Sequence, residues 1–376
     1  MLIDVDLPLI DHHCHGLVPR NLTRREFEKM ISESFVDAPA GTSHFDAPFG
    51  LAIRAHCAPL LDLEPFADPD AYIERRAELG AAEINKRFVK AGNYGLLLID
   101  TGFRADDILT PAGVSGLTNV PSREIVRIEA VAERVGRSGV SAGQYPQAFA
   151  DSLAEAARDA VGLKTIVAYR GGFAFDPRPP SRAEVIAAAG GWLPEMQAGR
   201  TRMQEPTLLR YGLWVGAELA KQRKFPIQFH CGFGDRDAII HLNNPSLLMA
   251  FFEEMNRMGV NVTLLHCYPY QRIAGFMAEI FPNVFFDVGA ILHYTGAMSS
   301  HVLGEALELS PFTKQLYSSD AFGIAESYYL GALFFRRALR QHLDRWIADG
   351  ACNAKEAERI ARLIAIDNTR RIYPLQ

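Results

Sequence analysis

Apolar runs of strand length recur along the whole chain, and stretches with apolar residues at helical spacing separate them. Most of the runs are almost continuously hydrophobic, which is typical of parallel strands whose two faces are both covered by protein. The repeated alternation of strand and helix predicts an α/β fold, and eight strands predict a (β/α)8 TIM barrel. The predicted strands span residues 8–16, 93–103, 123–131, 162–170, 225–233, 261–269, 283–291 and 314–322.

The two halves of the chain differ in regularity. In the second half helices follow the strands closely, and one of them opens with Asn244 as its N-cap and Pro245 at its first position. In the first half an insertion of about residues 20–90 separates the first two strands, and its pattern predicts a helix from Asp70 to Lys90. Because loops that follow barrel strands lie at the C-terminal mouth of a barrel, we expect this insertion to form a lid over the active site.

The C-terminal stretch 326–371 also has helical spacing, and we expect it to pack outside the barrel as an extension. Barrels of this kind often exceed about 250 residues as one unit. Residues 1–376 are therefore predicted to form a single domain.

Composition and charge limit the classes of molecule that the protein is expected to bind. The chain has 376 residues, of which 48% are hydrophobic and 22% charged, with a net charge of -5 and no local cluster of Lys and Arg. The N-terminus has no basic region, and no apolar run reaches the roughly 20 residues of a membrane helix. We therefore expect a cytoplasmic protein that acts on a small molecule and has neither nucleic acid nor a membrane as partner. Assembly into a homo-oligomer is left open.

Histidines and an aspartate occupy the ends of several predicted strands. His13 and His15 lie two positions apart near the end of the first strand, so they share a face and lie about 7 Å apart along it. His230, His266 and Asp320 lie near the ends of the fifth, sixth and eighth strands. Because these ends of barrel strands meet at one mouth, the pattern predicts a metal site there.

This constellation resembles the amidohydrolase superfamily, which has His-x-His on its first strand, single histidines on the fifth and sixth, and Asp on the eighth. The resemblance covers essentially the whole chain. The segments GLKTIVAYR, LLHCYPYQRIAGFMAEIFPNVFFDVG and YSSDAFGIAESYYLGALFFRRAL are similar to the amidohydrolase-2 branch, especially to the hydrolase-like half of nodulin and glutamine-synthetase fusion proteins. Phe322 departs from that subgroup, which often has His at this position.

The resemblance implies one divalent metal, with zinc as the expected ion, held by His13, His15, His230 and Asp320. A metal of this kind lowers the pKa of a bound water. Asp320 would take the proton of that water and deliver it to the leaving group. His266 would polarise the substrate carbonyl or support the oxyanion, and its alternative role as a metal ligand stays open. The implied reaction is hydrolysis of an amide or related C–N bond in a small, carboxylate-bearing substrate.

Further polar residues near strand ends are candidates for the same site. Lys164 lies within the fourth strand, where some members of the superfamily carbamylate a lysine that bridges two metals; the alternative is an acidic neighbour, and we expect one metal. Arg170 is a candidate clamp for a substrate carboxylate, and a structural salt bridge is the alternative. Glu326 and Tyr294 follow the last two strands, so we expect them to contact the substrate at the mouth.

Two other functions stay open. The amidohydrolase-2 branch also contains metal-dependent decarboxylases, which release carbon dioxide. A catalytically silent metal-binding module is the second alternative, and the presence of Asp320 beside the complete histidine set argues against it.

Overall fold

Seven parallel strands form one sheet in a computed structural model that describes residues 5–34, 36–199 and 202–375. Each strand pairs with the next in chain order, as successive β/α units require. The strands are β1 Leu9–Cys14, β2 Tyr94–Asp100, β3 Ser122–Arg127, β4 Gly162–Thr165, β5 Ile227–Cys231, β6 Val262–His266 and β7 Val284–Phe286.

The predicted eighth strand, 314–322, is not a regular strand. It makes a single parallel bridge to β7, yet its backbone bonds both edges of the sheet. The N–H of Leu316 donates to the carbonyl of Phe286 in β7 (2.9 Å), and the N–H of Asp320 donates to the carbonyl of His13 in β1 (3.0 Å). The N–H of Ser319 donates to the Asp11 carboxylate instead of a backbone carbonyl, which interrupts the ladder. The segment therefore lies between β7 and β1 without extending the sheet regularly.

Several strands are shorter than predicted. The third ends at Arg127, where the apolar spacing of IEAVAERV continues as a helix. The fourth ends at Thr165, so Arg170 lies beyond the strand, after a 3-10 turn at Val167–Tyr169.

The α-helices are α1 Arg24–Glu28, α2 Pro48–Ala52, α3 Pro69–Leu79, α4 Ala81–Gly92, α5 Pro111–Thr118, α6 Ile128–Arg137, α7 Tyr145–Ala156, α8 Arg182–Gln197, α9 Pro206–Arg223, α10 Met249–Met258, α11 Gln271–Ile280, α12 Ile291–Thr295, α13 Ser299–Leu307, α14 Ala325–Ala348, α15 Ala354–Arg362 and α16 Asn368–Ile372.

The insertion between β1 and β2 contains α1 to α4 and short 3-10 and π turns between them. The single helix predicted from Asp70 to Lys90 is two helices, α3 and α4, separated by Gly80. This glycine has φ +80°, a conformation that L side chains rarely adopt and that ends a right-handed helix. The asparagine cap predicted at Asn244 is present: its side chain accepts from the N–H of Ser246 and opens the 3-10 turn Pro245–Leu248, which leads directly into α10.

One large hydrophobic cluster contains residues from the insertion, the sheet and the C-terminal helices. A smaller cluster joins Leu98, Ile125 and Phe285 of the strands to Tyr373 near the C-terminus. Within the described residues, no helix combines the length and the apolar character needed to cross a membrane.

Candidate metal centre

The predicted ligands come from four separate segments of the chain and meet at the C-terminal ends of the strands. The Asp320 carboxylate is at the centre, with Oδ1 3.1 Å from His13 Nε2 and 3.5 Å from His15 Nε2. Its other oxygen, Oδ2, is 3.4 Å from His266 Nδ1. The rings of His230 and His266 are 4.8 Å apart. Three ligand atoms from His13, His266 and Asp320 lie within 4.8 Å of one another, which is compact enough to hold one ion.

Hydrogen bonds from the surrounding protein determine which nitrogen of His13 is free. The Gln228 amide nitrogen donates to the His12 carbonyl (2.6 Å) and to the Tyr373 hydroxyl (2.9 Å). The Gln228 Oε1 therefore accepts from His13 Nδ1 at 2.8 Å. Because Nδ1 carries the proton, Nε2 keeps its lone pair and faces Asp320.

His15 is fixed in the same tautomer by a different group. Its Nδ1 is 3.1 Å from the backbone carbonyl of Asp100, which can only accept. Nε2 is then unprotonated and faces Asp320. Both histidines of the His-x-His pair thus present a lone pair to the same point, as metal-binding histidines require.

The two remaining histidines have buried nitrogens without hydrogen-bond partners. Among the described residues, no protein group bonds His230 Nε2 or His266 Nδ1. The His230 ring packs against Tyr169 at 4.2 Å between centroids, which holds it in the cavity. An unsatisfied buried nitrogen is costly, and a cation or a bound polar group would satisfy each of them. The donor set therefore fits a divalent metal.

The charge state of the cluster also suits a cation. Burial is the main cause that lowers the pKa of His13 to about 3, that of His266 to about 4, and that of His230 well below its usual value. Burial alone would raise the pKa of Asp320, but the neighbouring histidines, His266 foremost, hold it well below its ordinary value. At neutral pH the imidazoles are neutral and the carboxylate is ionised, which is the form that binds metal.

Lys164 joins this cluster. Its Nζ is buried and lies 3.2 Å from His13 Nε2, the atom that the tautomer leaves open. Burial lowers the pKa of Lys164 to about 8, against the attraction of Asp100 and Asp320. If Lys164 is not carbamylated, its Nζ therefore competes with a metal for the lone pair of His13 Nε2.

Two polar residues at the ends of β2 and β3 were missed by the sequence interpretation. Asp100 Oδ2 accepts from Arg127 Nε (3.0 Å) and Nη2 (2.5 Å), and its Oδ1 accepts from the Gly102 N–H. Asp100 also forms a candidate ligand group with His13 and His15. The signal was present for Asp100, which ends the apolar run GLLLID in the same way as the histidines, whereas Arg127 lies inside an apolar run.

Asp287 positions the end of β6. Its carboxylate accepts from the N–H groups of His266 and Gly289 and from His12 Nε2 (2.8 Å). His266 and Asp320 both have positive φ, 68° and 49°, which is uncommon outside glycine. Such backbone strain costs about 1–3 kcal/mol per residue and concentrates at functional sites, where the surrounding contacts enforce it.

A cavity of about 830 Å³ opens from this cluster, and its volume suits a small molecule. Arg170 and Tyr294, the predicted substrate contacts, both line it. Arg170 contacts Glu133 only weakly, at 3.4 Å, and its Nε has no partner among the described residues. Phe322 also lines the cavity, with its ring 5.7 Å from that of His15.

Glu326 does not fit its predicted role as a substrate contact. Its side chain is fully buried in the first turn of α14, outside the residues that line the cavity. Arg76 of α3 donates to both carboxylate oxygens, at 2.5 and 3.0 Å, and the Tyr72 hydroxyl adds a third bond at 2.8 Å. The carboxylate is an ion-pair partner for the insertion, a contact with a residue 250 positions away that sequence spacing does not encode.

The sheet and the histidine–aspartate cluster at its C-terminal end define an α/β protein with the fold of the metal-dependent hydrolases. Residues 10–375 match the family model described as Amidohydrolase, and the chain belongs to that family. A structure from Lactobacillus casei ATCC 334, provisionally described as a metal-dependent hydrolase, has a TM-score of 0.83 and 29% identity; the match covers 98% of this chain and 96% of that one.

Two further matches differ in length or in sequence. The protein fluG from Emericella nidulans is 27% identical over 98% of this chain, and the chain spans 46% of its length. A uronate isomerase from Thermotoga maritima has a TM-score of 0.65 over 99% of this chain and 95% of that one. Its identity is 12%, so this likeness concerns the fold alone.

Proposed function

We propose that the protein is a metal-dependent hydrolase that cleaves an amide or related C–N bond in a small, carboxylate-bearing substrate. The observation that carries this proposal is the convergence of His13, His15, His230 and Asp320, with open nitrogens, on one end of a substrate-sized cavity. Membership of the amidohydrolase family supports it.

One divalent ion, zinc in our proposal, would be held by His13, His15, His230 and Asp320. It would act as a Lewis acid and would lower the pKa of a bound water molecule toward neutrality. Asp320 faces two histidines with one oxygen and His266 with the other, so its carboxylate is placed to accept and return a proton. His266 would donate to, or polarise, the reacting carbonyl.

The insertion contributes one wall of the cavity. Lys29, Met30, Ser32, Glu33 and Ser34, which lie between α1 and α2, all line it. We propose that the insertion acts as the lid and excludes bulk water from the reacting groups. On the barrel side, Arg170 would bind the substrate carboxylate, because its guanidinium is nearly buried and incompletely paired.

Metal analysis is the first test. We expect about one equivalent of zinc per chain in the wild type and also in Lys164→Ala, because Lys164 is not one of the proposed metal ligands. A His13→Ala, His15→Ala double variant should hold almost none, since it loses both open Nε2 atoms. Two equivalents in the wild type, falling in Lys164→Ala, would make Lys164 a bridging ligand. No metal under replete conditions would reject the proposal.

Product analysis tests the reaction itself. The metal-loaded protein is incubated with a panel of N-acyl and side-chain amide derivatives of small carboxylic acids, and amine release is measured by mass spectrometry. We expect release of amine and acid in equal amounts without carbon dioxide. Release of carbon dioxide from aromatic or unsaturated acids, with the amides left intact, would identify a decarboxylase instead. An inert protein that binds metal would favour the silent module.

A further inference from the structure

Glu33 is an acidic side chain that the proposed reaction leaves without a role. It lies in the insertion and lines the same cavity as His266 and Asp320. Its Oε1 accepts from the Tyr294 hydroxyl at 2.7 Å. Within the part of the chain that the structure describes, no Lys, Arg or His nitrogen forms an ion pair with it.

Glu33 is therefore a carboxyl group in a largely buried position without a counter-ion. Burial is the main cause that raises its pKa to about 7; the Tyr294 bond acts against this shift, and the negative charges of Asp320 and Asp235 add to it. A bound cation would reverse this cost, because it would supply the missing positive charge in a partly desolvated site.

His293 provides an independent observation at the same wall. It is 2% exposed and lines the cavity, and its Nδ1 has no hydrogen-bond partner among the described residues. Its ring packs against Phe49 at 4.8 Å and against Tyr294 at 5.1 Å, which fixes it beside the Tyr294–Glu33 pair. Burial lowers the pKa of His293 to about 3, so the ring is neutral and can accept a proton from a donor.

Arg170 also lines this cavity, and its buried Nε lacks a partner. The cavity thus has an unpaired carboxyl and an open imidazole, together with an incompletely paired guanidinium. A ligand that carries only a carboxylate would satisfy Arg170 and leave Glu33 uncompensated. A ligand with both charges would satisfy all three groups.

We propose that Glu33 and His293 form a binding subsite for a primary ammonium group, so that the substrate is a zwitterion of the amino-acid type with its carboxylate on Arg170. This inference rests on the proposed function for the identity of the cavity as the substrate site. It concerns recognition, so it is tested by binding without any turnover.

The test is calorimetric titration of the metal-loaded protein at pH 8 with two matched pairs of probes. L-Glutamate is compared with glutarate, and L-leucine with 4-methylpentanoate; the members of each pair differ only by the ammonium group. We expect the amino acid of at least one pair to bind the wild type about tenfold more tightly than its partner, as one charge-assisted contact would give.

Glu33→Gln should lose this preference while its affinity for the partner lacking the amine changes by less than about twofold. Asp37→Asn, which removes an exposed carboxylate from the same insertion outside the cavity, is the matched control and should keep the preference. No preference in the wild type for either pair, or a preference that persists in Glu33→Gln, would overturn the proposal. The wild-type comparison needs no variant, so it can overturn the proposal even if Glu33→Gln does not fold. A protein that shows the Glu33-dependent preference but cleaves no amide would refute the proposed reaction alone.

Discussion

Asp320→Asn is expected to lower kcat/KM for the cleaved amide by about 10³-fold, within the usual range for loss of a general acid or base. Asparagine keeps the size and one oxygen of the side chain but cannot take a proton. It also removes the negative charge that His13, His15 and His266 face at 3.1 to 3.5 Å. The measurement is steady-state kinetics on the substrate found in the product screen, with metal content determined on the same preparations.

Asp151→Asn is the matched control for this prediction, because it makes the same chemical change on the exposed surface of α7, where the carboxylate accepts from Gln147. Its activity should equal that of the wild type. Metal content separates the two roles of Asp320: a variant that keeps its metal and loses activity has lost the proton carrier. If Asp320→Asn kept full activity with full metal, the proposed role of this carboxylate would be refuted.

Glu326→Gln is expected to lower the free energy of unfolding by about 3–5 kcal/mol, because it leaves the Arg76 guanidinium buried without a counter-ion. Both side chains are almost completely inaccessible, and Arg76 also lies over the Phe27 ring at 4.8 Å. The pair joins α3 of the insertion to α14, so its loss should also loosen the insertion. Urea unfolding with metal-loaded protein measures the change.

A double variant, Arg76→Met with Glu326→Leu, should recover most of this loss, because well-packed apolar side chains can replace a buried ion pair. Arg257→Ala is a surface control, since this side chain is 62% exposed and its ion pairs contribute little. If Glu326→Gln unfolded at the same urea concentration as the wild type, the carboxylate would not be neutralising Arg76 as the structure indicates.

The order of the strands and the location of the candidate metal centre could be predicted from the sequence. Near-continuous apolar runs identified seven strands that form, and the eighth run at 314–322 lies between β7 and β1 although Ser319 interrupts its regular bonding. His13, His15, His230, His266 and Asp320 could be grouped because parallel strands present their C-terminal ends to one side. The same reasoning applied to Asp100 would have found it as well, whereas only the structure shows that the third strand ends at Arg127.

The boundaries of elements were less well predicted. The apolar pattern does not show where a strand makes its last backbone hydrogen bond to a neighbouring strand. Arg170 was therefore predicted to lie on the fourth strand, which ends at Thr165. The helix predicted across Gly80 was wrong because the left-handed conformation of one glycine outweighs the helical propensity of its neighbours.

The sequence by itself determined which residue types stand at the strand ends, because hydrophobic periodicity and parallel pairing are local and regular. Only the tertiary structure decided what those residues contact. Gln228, 215 positions from His13, sets its tautomer, and Arg76, 250 positions from Glu326, takes that carboxylate out of the cavity. Glu33, which lies in the insertion, lines the same cavity as residues from the strand ends. Such contacts depend on packing between distant segments, for which local propensity holds no information.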